Sequence, residues 1–248
     1  MPRPRAGCLA PKPKAKAKPA AKRKPKKLPP PPRGARTRAL LTVERLRDIY
    51  PAATELDHQN PFQLLIATIL SAQTTDRSVN LVSPRLFAQY PTAFDLAGAD
   101  PANVEVIIKP TGFFRAKTRS IIAASRKLVD LFGGEVPPRM DDLTKLPGIG
   151  RKTANVILGA GFGIPGFAVD THVTRLTNRL GLVKTKDPVK IESYVTKMVP
   201  PEEWTDLSLR LILHGRRICI ARRPKCEECV LNDFCPSSLT RPRAKRTR

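Results

Sequence analysis

No stretch of the 248 residues approaches the roughly 18 consecutive apolar residues of a membrane span. The N-terminus, MPRPRAGC, lacks the apolar segment of a secretory leader. No run alternates apolar and polar residues as a half-buried strand does, and no repeat of fixed period is present. These gaps set aside membrane, secreted and β-rich readings and leave an all-α chain as the expected fold class. Cysteine is scarce as well: there are five, of which Cys8 stands alone and four fall between Cys219 and Cys235. Clustered cysteines in a chain with no leader favour a metal site over disulfides, and the expected location is cytoplasmic, with the nucleoid.

Acidic residues are missing where basic ones gather. The formal net charge is +24, yet residues 1–38 hold 14 Lys/Arg and no acid, and residues 241–248 hold five more. Between these tails 26 basic residues face 21 acidic ones, so the body is only mildly basic. Residues 1–38, built from Pro, Lys, Ala and Arg, cannot bury a core and are expected to be disordered. Such a tail either adds salt-dependent affinity for a nucleic acid or merely solubilises the chain.

Helical periodicity begins near Leu40. Asn60-Pro61 is a helix start, with Asn as cap and Pro at the first position. It leads into an apolar run through Phe62, Leu65, Ile66, Ile69 and Leu70. The polar loop Ser71-Ala72-Gln73-Thr74-Thr75 follows, and Asp76 is the expected cap of the next helix. Thr111-Gly112-Phe113-Phe114 places two aromatics in a turn before a long helix that Gly133-Gly134 ends. Met140–Leu146 reads as a short helix entering Pro147-Gly148-Ile149-Gly150, a tight turn whose glycines can take positive φ. Arg151–Leu158 continues as a helix, which makes a helix-hairpin-helix element. Unpaired N–H groups and the positive end of the dipole then face outward together, a ready site for phosphate. Lys152 lies in the first turn of that helix, Gly161–Gly166 is a link, and Asp170 caps the helix beyond. A phosphate cradle, an amine and a carboxylate so close in sequence point to chemistry on a nucleic-acid backbone.

The cysteines stand as Cys219-x6-Cys226-x2-Cys229-x5-Cys235. Structural zinc normally draws on two separated C-x-x-C knuckles, and only one such pair is present. Four thiolates from one short loop suit a cubane [4Fe-4S] cluster better, with zinc or free thiols as the alternatives. Arg216, Arg217, Arg222, Arg223 and Lys225 crowd the loop, either to offset cluster charge or to face phosphate.

In this order LPGIGRKTA, VDTH and the cysteine loop resemble the endonuclease III family, bifunctional DNA glycosylase/AP lyases of the helix-hairpin-helix, Gly/Pro-Asp superfamily. The likeness spans residues 40 to about 237. It implies two helical domains flanking a DNA-binding cleft. One is a six-helix barrel with the hairpin, over 54–164. The other is an iron–sulfur cluster domain, over 39–53 and 165–237, with basic tails at 1–38 and 238–248. The implied partner is duplex DNA carrying damaged bases or abasic sites, bound by a monomer.

Residue by residue, the resemblance makes Lys152 the nucleophile that attacks C1′, expels the base and holds the sugar as a Schiff base, before β-elimination cuts 3′ to the lesion. Asp170 becomes the catalytic carboxylate, while remaining a helix cap. Gln73 fills the hole left by an extruded nucleotide, or simply terminates a helix. Phe113 is an apolar wedge, or packs in the core beside Phe114. Gly148 and Gly150 offer N–H groups to phosphate, with Lys145 and Arg151 as nearby charge. His172 contacts phosphate, or is buried or capping. The implied substrates are oxidised pyrimidines. A pyrimidine-dimer glycosylase/lyase of the same family shares all three motifs. From another class, a non-catalytic DNA-binding module needs neither Lys152 nor Asp170.

Overall fold

The computed structural model describes residues 29–240, and every regular element in that range is helical. Expectations for residues 1–28 and 241–248, Cys8 included, lie outside the described residues. No described helix is long and apolar enough to cross a membrane.

Helix α1 (Ala35–Arg47) starts earlier than the periodicity near Leu40 suggests, so residues 35–38 belong to the fold and not to a disordered tail. Ala35 and Ala39 are buried, and alanines of this size leave little trace in a hydropathy pattern. Arg38, which composition assigns to the basic tail, instead donates from Nε to Leu180 O and from Nη2 to Gly181 O, both at 2.7 Å. Residues 238–240 are likewise tied down, with Thr240 Oγ1 bonded to the Asn232 side chain.

Helix α2 (Pro61–Leu70) begins as expected: Asn60 Oδ1 accepts from Gln63 N at 2.9 Å, and Pro61 stands where no N–H is needed. Leu64 to Ala67 are fully buried, so α2 is enclosed nearly all round. Helix α3 (Asp76–Gln89) is capped by Thr75, whose Oγ1 accepts from Ser78 N, and not by Asp76. The Asp76 carboxylate is thereby left for another use. After α4 (Ala93–Ala97) comes α5 (Pro101–Ile108), which tightens into a 3-10 turn over Lys109–Thr111. Helix α6 (Phe114–Phe132) ends on Gly133 and Gly134, both at positive φ. Helix α7 (Met140–Leu143) is shorter than expected. Helix α8 (Arg151–Val156) widens into a π turn over Ile157–Gly161. Within that turn Gly159 lies so close to Thr205 that a Cβ would stand 2.5 Å from its side chain. Three more helices follow: α9 (Thr171–Arg179), α10 (Pro188–Val195) and α11 (Trp204–Arg217).

Buried apolar residues fall into two clusters. One joins α2 to α8, from Leu56 to Leu158. The other joins α1 to residues 167–231, with Leu46, Leu207 and Leu211 fully buried. The chain passes between them at 51–55 and at 159–166. At the second passage Thr205 Oγ1 and the Gly166 backbone lie 3.2 Å apart at both N and O.

Arg38→Ala removes three charge-assisted bonds and leaves the Arg33, Leu180 and Gly181 carbonyls without them. It is expected to lower stability by about 1–3 kcal/mol, read as a fall of several degrees in the thermal unfolding midpoint. An unchanged midpoint would mean that α1 docks by its apolar face alone.

Candidate active site and cysteine loop

The hairpin is built from one glycine in the left-handed region and one in extended backbone. Gly148 takes φ 81°, whereas Gly150 has φ −95° and ψ 174°, so only the first needs the left-handed region expected of both. Gly150 is the N-cap of α8 and contributes no side-chain cap. The turn rests on α6, where Lys127 Nζ donates to Lys145 O at 3.0 Å. The two cations that flank it are already engaged. Lys145 Nζ lies 2.7 Å from Asp142 Oδ1, and Arg151 makes a bidentate pair with Glu192 at 2.7 Å through both nitrogens. The second pair ties the hairpin helix of one core to α10 of the other.

Lys152 lines a pocket at the junction of the two cores. Its walls include Thr68, Ser71 and Asp76 from one side and Leu209, Leu213 and Arg216 from the other. Arg216 Nη1 bonds Asp76 Oδ2 at 2.8 Å and also bonds Glu55, which in turn meets Arg217 at 3.5 Å. Polar groups of both signs therefore surround an amine in a recess with apolar patches.

Asp170 caps α9 as expected, Oδ1 accepting from Val173 N at 2.7 Å. Among the described residues no hydrogen bond reaches its Oδ2 and no ion pair joins it to Lys152. One oxygen fixes the carboxylate in place, and the other is left to act.

Gln73 and Phe113 share a property the sequence did not display. Among the described residues they are the only non-glycine positions at positive φ, 56° and 46°. Both are exposed, Phe113 by 69%. Its neighbour Phe114 packs against the first core, so the alternative of Phe113 as a core residue fails. A left-handed backbone disfavours a β-carbon and survives only where the surroundings fix it, as at functional sites.

His172 sits at the crossing of α9 and α11. Arg175 Nη2 donates to its Nδ1 at 3.2 Å, and a Cβ at Gly215 would stand 2.9 Å from the ring. The half-buried packing reading describes this geometry.

The four cysteines are free and half-buried, and they line one cavity with Leu176, Leu180, His214 and Leu231. Burial pushes the Cys229 thiol up to about 11, with charge on the other three cysteines adding to the rise, and burial raises Cys235 as well. A cationic centre bound there would take the place of the thiol protons. The donor set fits a [4Fe-4S] cluster.

Helix α9 reaches toward this loop through residues absent from the sequence reading. Arg175 bonds Cys219 O and Gly215 O, while Arg179 bonds Cys219 Sγ at 3.3 Å and Ile220 O at 2.9 Å. Spacing of three and seven from His172 puts both on one helical face, which was the available signal. His214 is buried between Tyr50 and Cys229, and burial lowers its pKa to about 4. Nothing local in the sequence marks it.

Comparison with known proteins adds independent support. Residues 66–201 match the model of the HhH-GPD superfamily base excision DNA repair proteins, and residues 219–235 match the iron-sulfur binding domain of endonuclease III. Endonuclease III of Synechocystis sp. is 53% identical over 195 residues, 78% of this chain and 89% of that protein. That of Bacillus subtilis is 43% identical over the same shares. Among solved structures, a trapped endonuclease III–DNA covalent intermediate superposes with a TM-score of 0.77 at 41% identity, covering 82% of this chain and 96% of that one. A thermostable thymine-DNA glycosylase, at 22% identity and a TM-score of 0.74, shares the fold. The chain belongs to the endonuclease III family, and it is a base-excision-repair DNA glycosylase and AP lyase that carries a [4Fe-4S] cluster.

Proposed function

We propose that the enzyme removes oxidised pyrimidines from duplex DNA and cuts the resulting abasic site, with Lys152 as the nucleophile. The observation that carries this reading is the position of Lys152, at the start of the hairpin helix and inside the polar recess between the two cores. Two functional units, the barrel over 54–164 and the cluster domain over 39–53 and 165–237, would flank the DNA. The substrate is damaged DNA bound by a monomer that works at the nucleoid.

The chemistry follows from the groups in place. The neutral Lys152 amine forms a bond to C1′ as the C1′–N bond to the base breaks, and the base departs with that electron pair and takes up a proton. Opening of the sugar ring leaves an iminium on Nζ. Loss of a proton from C2′ then expels the 3′ phosphate, and water releases the sugar from the lysine. Asp170, fixed by its cap bond, holds negative charge where the sugar becomes positive and can accept the proton that the ammonium must lose. Gly148 and Gly150 keep backbone N–H groups open to phosphate, and Arg151 and Lys145 can exchange their carboxylates for it. His172 supports α9 in that role. Gln73 and Phe113 would enter the duplex where the damaged nucleotide leaves it. Cys219, Cys226, Cys229 and Cys235 would hold the cluster, which supplies a fixed charged centre that folds the loop beside α9.

Borohydride trapping on an abasic-site duplex tests the nucleophile: wild type is expected to give a covalent adduct and Lys152→Ala none. An undiminished adduct with that variant would remove Lys152 from the mechanism. Asp170→Asn keeps a cap acceptor, so it is expected to bind DNA normally while base excision falls by about 10²-fold or more. Equal loss of binding and excision would assign Asp170 to folding alone. Glu192→Gln releases Arg151, and filter binding at several salt concentrations is expected to show tighter DNA binding with a salt slope steeper by about one unit. An unchanged slope would mean that Arg151 never reaches phosphate.

A further inference from the structure

The turn that carries Phe113 is strained and stands clear of the protein, yet something holds it. Gly112 has φ 66° and ψ 161°, a region reserved for glycine, and Phe113 follows at φ 46°. The apolar side chain of Phe113 makes no packing that could fix this geometry, being 69% exposed. The restraint comes from beneath. Lys117, one turn into α6, is only 5% exposed, and its Nζ donates to Thr111 O at 2.7 Å. Its own backbone N–H donates to Phe113 O at 3.1 Å. One residue thus grips the carbonyl on each side of the Gly112-Phe113 step.

The choice of lysine here is informative. Among the described residues no carboxylate pairs with it, and Thr111 O is the acceptor that Nζ finds. An unpaired ammonium is among the most unfavourable groups to bury, and a core position of this kind would ordinarily carry Leu or Met. What offsets the burial is the end of α5 and its 3-10 turn, where carbonyls concentrate negative charge. Thr111 Oγ1 is directed back to Ile108 O and Gly112 N to Lys109 O, so the Thr111 carbonyl is left to the ammonium. Burial also lowers the Lys117 pKa, the mark of a charged group kept at a site that disfavours it.

We infer that Lys117 is a positioning residue for base extrusion, setting the Gly112-Phe113 turn so that the Phe113 ring is presented to the duplex. This rests on the reading of Phe113 as a wedge. It also makes Lys117 specific to one stage of the reaction: it is buried beneath the turn and does not line the recess that holds Lys152, so chemistry on an already extruded or unpaired site does not require it.

The test uses full-length enzyme and one abasic site in two settings, a duplex and the same strand alone, with strand cleavage as the readout. Circular dichroism and cluster absorbance near 400 nm check folding. Phe113→Ala is expected to slow cleavage of the duplex about tenfold more than cleavage of the single strand. Lys117→Met is expected to reproduce most of that duplex-selective loss, on the order of 3- to 10-fold. The double variant is expected to be no slower on duplex than Phe113→Ala alone, because the two residues act through one contact. A loss shared equally by both substrates, or losses that multiply in the double variant, would overturn the role of Lys117 while leaving the wedge in place. If Phe113→Ala shows no duplex selectivity, the wedge reading falls, and the role of Lys117 with it. Should Lys117→Met fail to fold, Lys117→Gln, a donor of shorter reach, replaces it in the same comparison.

Discussion

Arg216 is the side chain on which the geometry of this site turns. It rises from the last long helix of one core and meets Asp76 and Glu55 of the other, at the wall of the pocket that holds Lys152. Its side chain is 42% exposed, and partly exposed ion pairs contribute little to stability, typically about 0–1 kcal/mol. Its value is directional. The Arg216–Asp76 and Arg151–Glu192 pairs both run from one core to the other and so help set how the faces meet. Asp76 can serve this purpose because Thr75 takes over the capping of α3.

Opening a duplex costs a few kcal/mol for each unstacked step. In the proposed reading the protein prepares for that step by holding Gln73 and Phe113 in left-handed backbone, at roughly 1–2 kcal/mol each. That strain is drawn from folding stability and is already present when DNA arrives, so the side chains need not be ordered at the encounter. Lys117 is the clearest sign that the fold supplies the restraint: a buried ammonium is retained where an apolar residue would pack with less penalty.

The fold was legible wherever one segment carried its own signal. Asn60-Pro61 marks a true helix start, because capping is a local event. The hairpin turn, the Asp170 cap and the grouping of the four cysteines were legible for the same reason. What escaped notice depends on distant partners. Ala35 and Ala39 are too small to register, the cap of α3 depended on a choice between adjacent polar residues, and the π turn lies where Gly159 approaches Thr205 of a distant helix. Arg38 stands at the end of a basic run and Arg175 and Arg179 on one face of α9, and all three bind carbonyls far along the chain. Lys117 looks like any helical lysine until the turn above it is seen.

Charge also changes meaning once its partners are known. The cations nearest the hairpin, Lys145 and Arg151, are neutralised by Asp142 and Glu192, so moving either to a phosphate exchanges one anion for another and leaves a carboxylate behind. The net electrostatic gain is small. Backbone N–H groups at the start of α8 face no such competition, since no acidic residue occupies its first turn. In the proposed function the hairpin's hold on DNA therefore rests on its main chain, which accounts for a turn of Pro147, Gly148 and Gly150 there, where side chains would stand between the N–H groups and the phosphate.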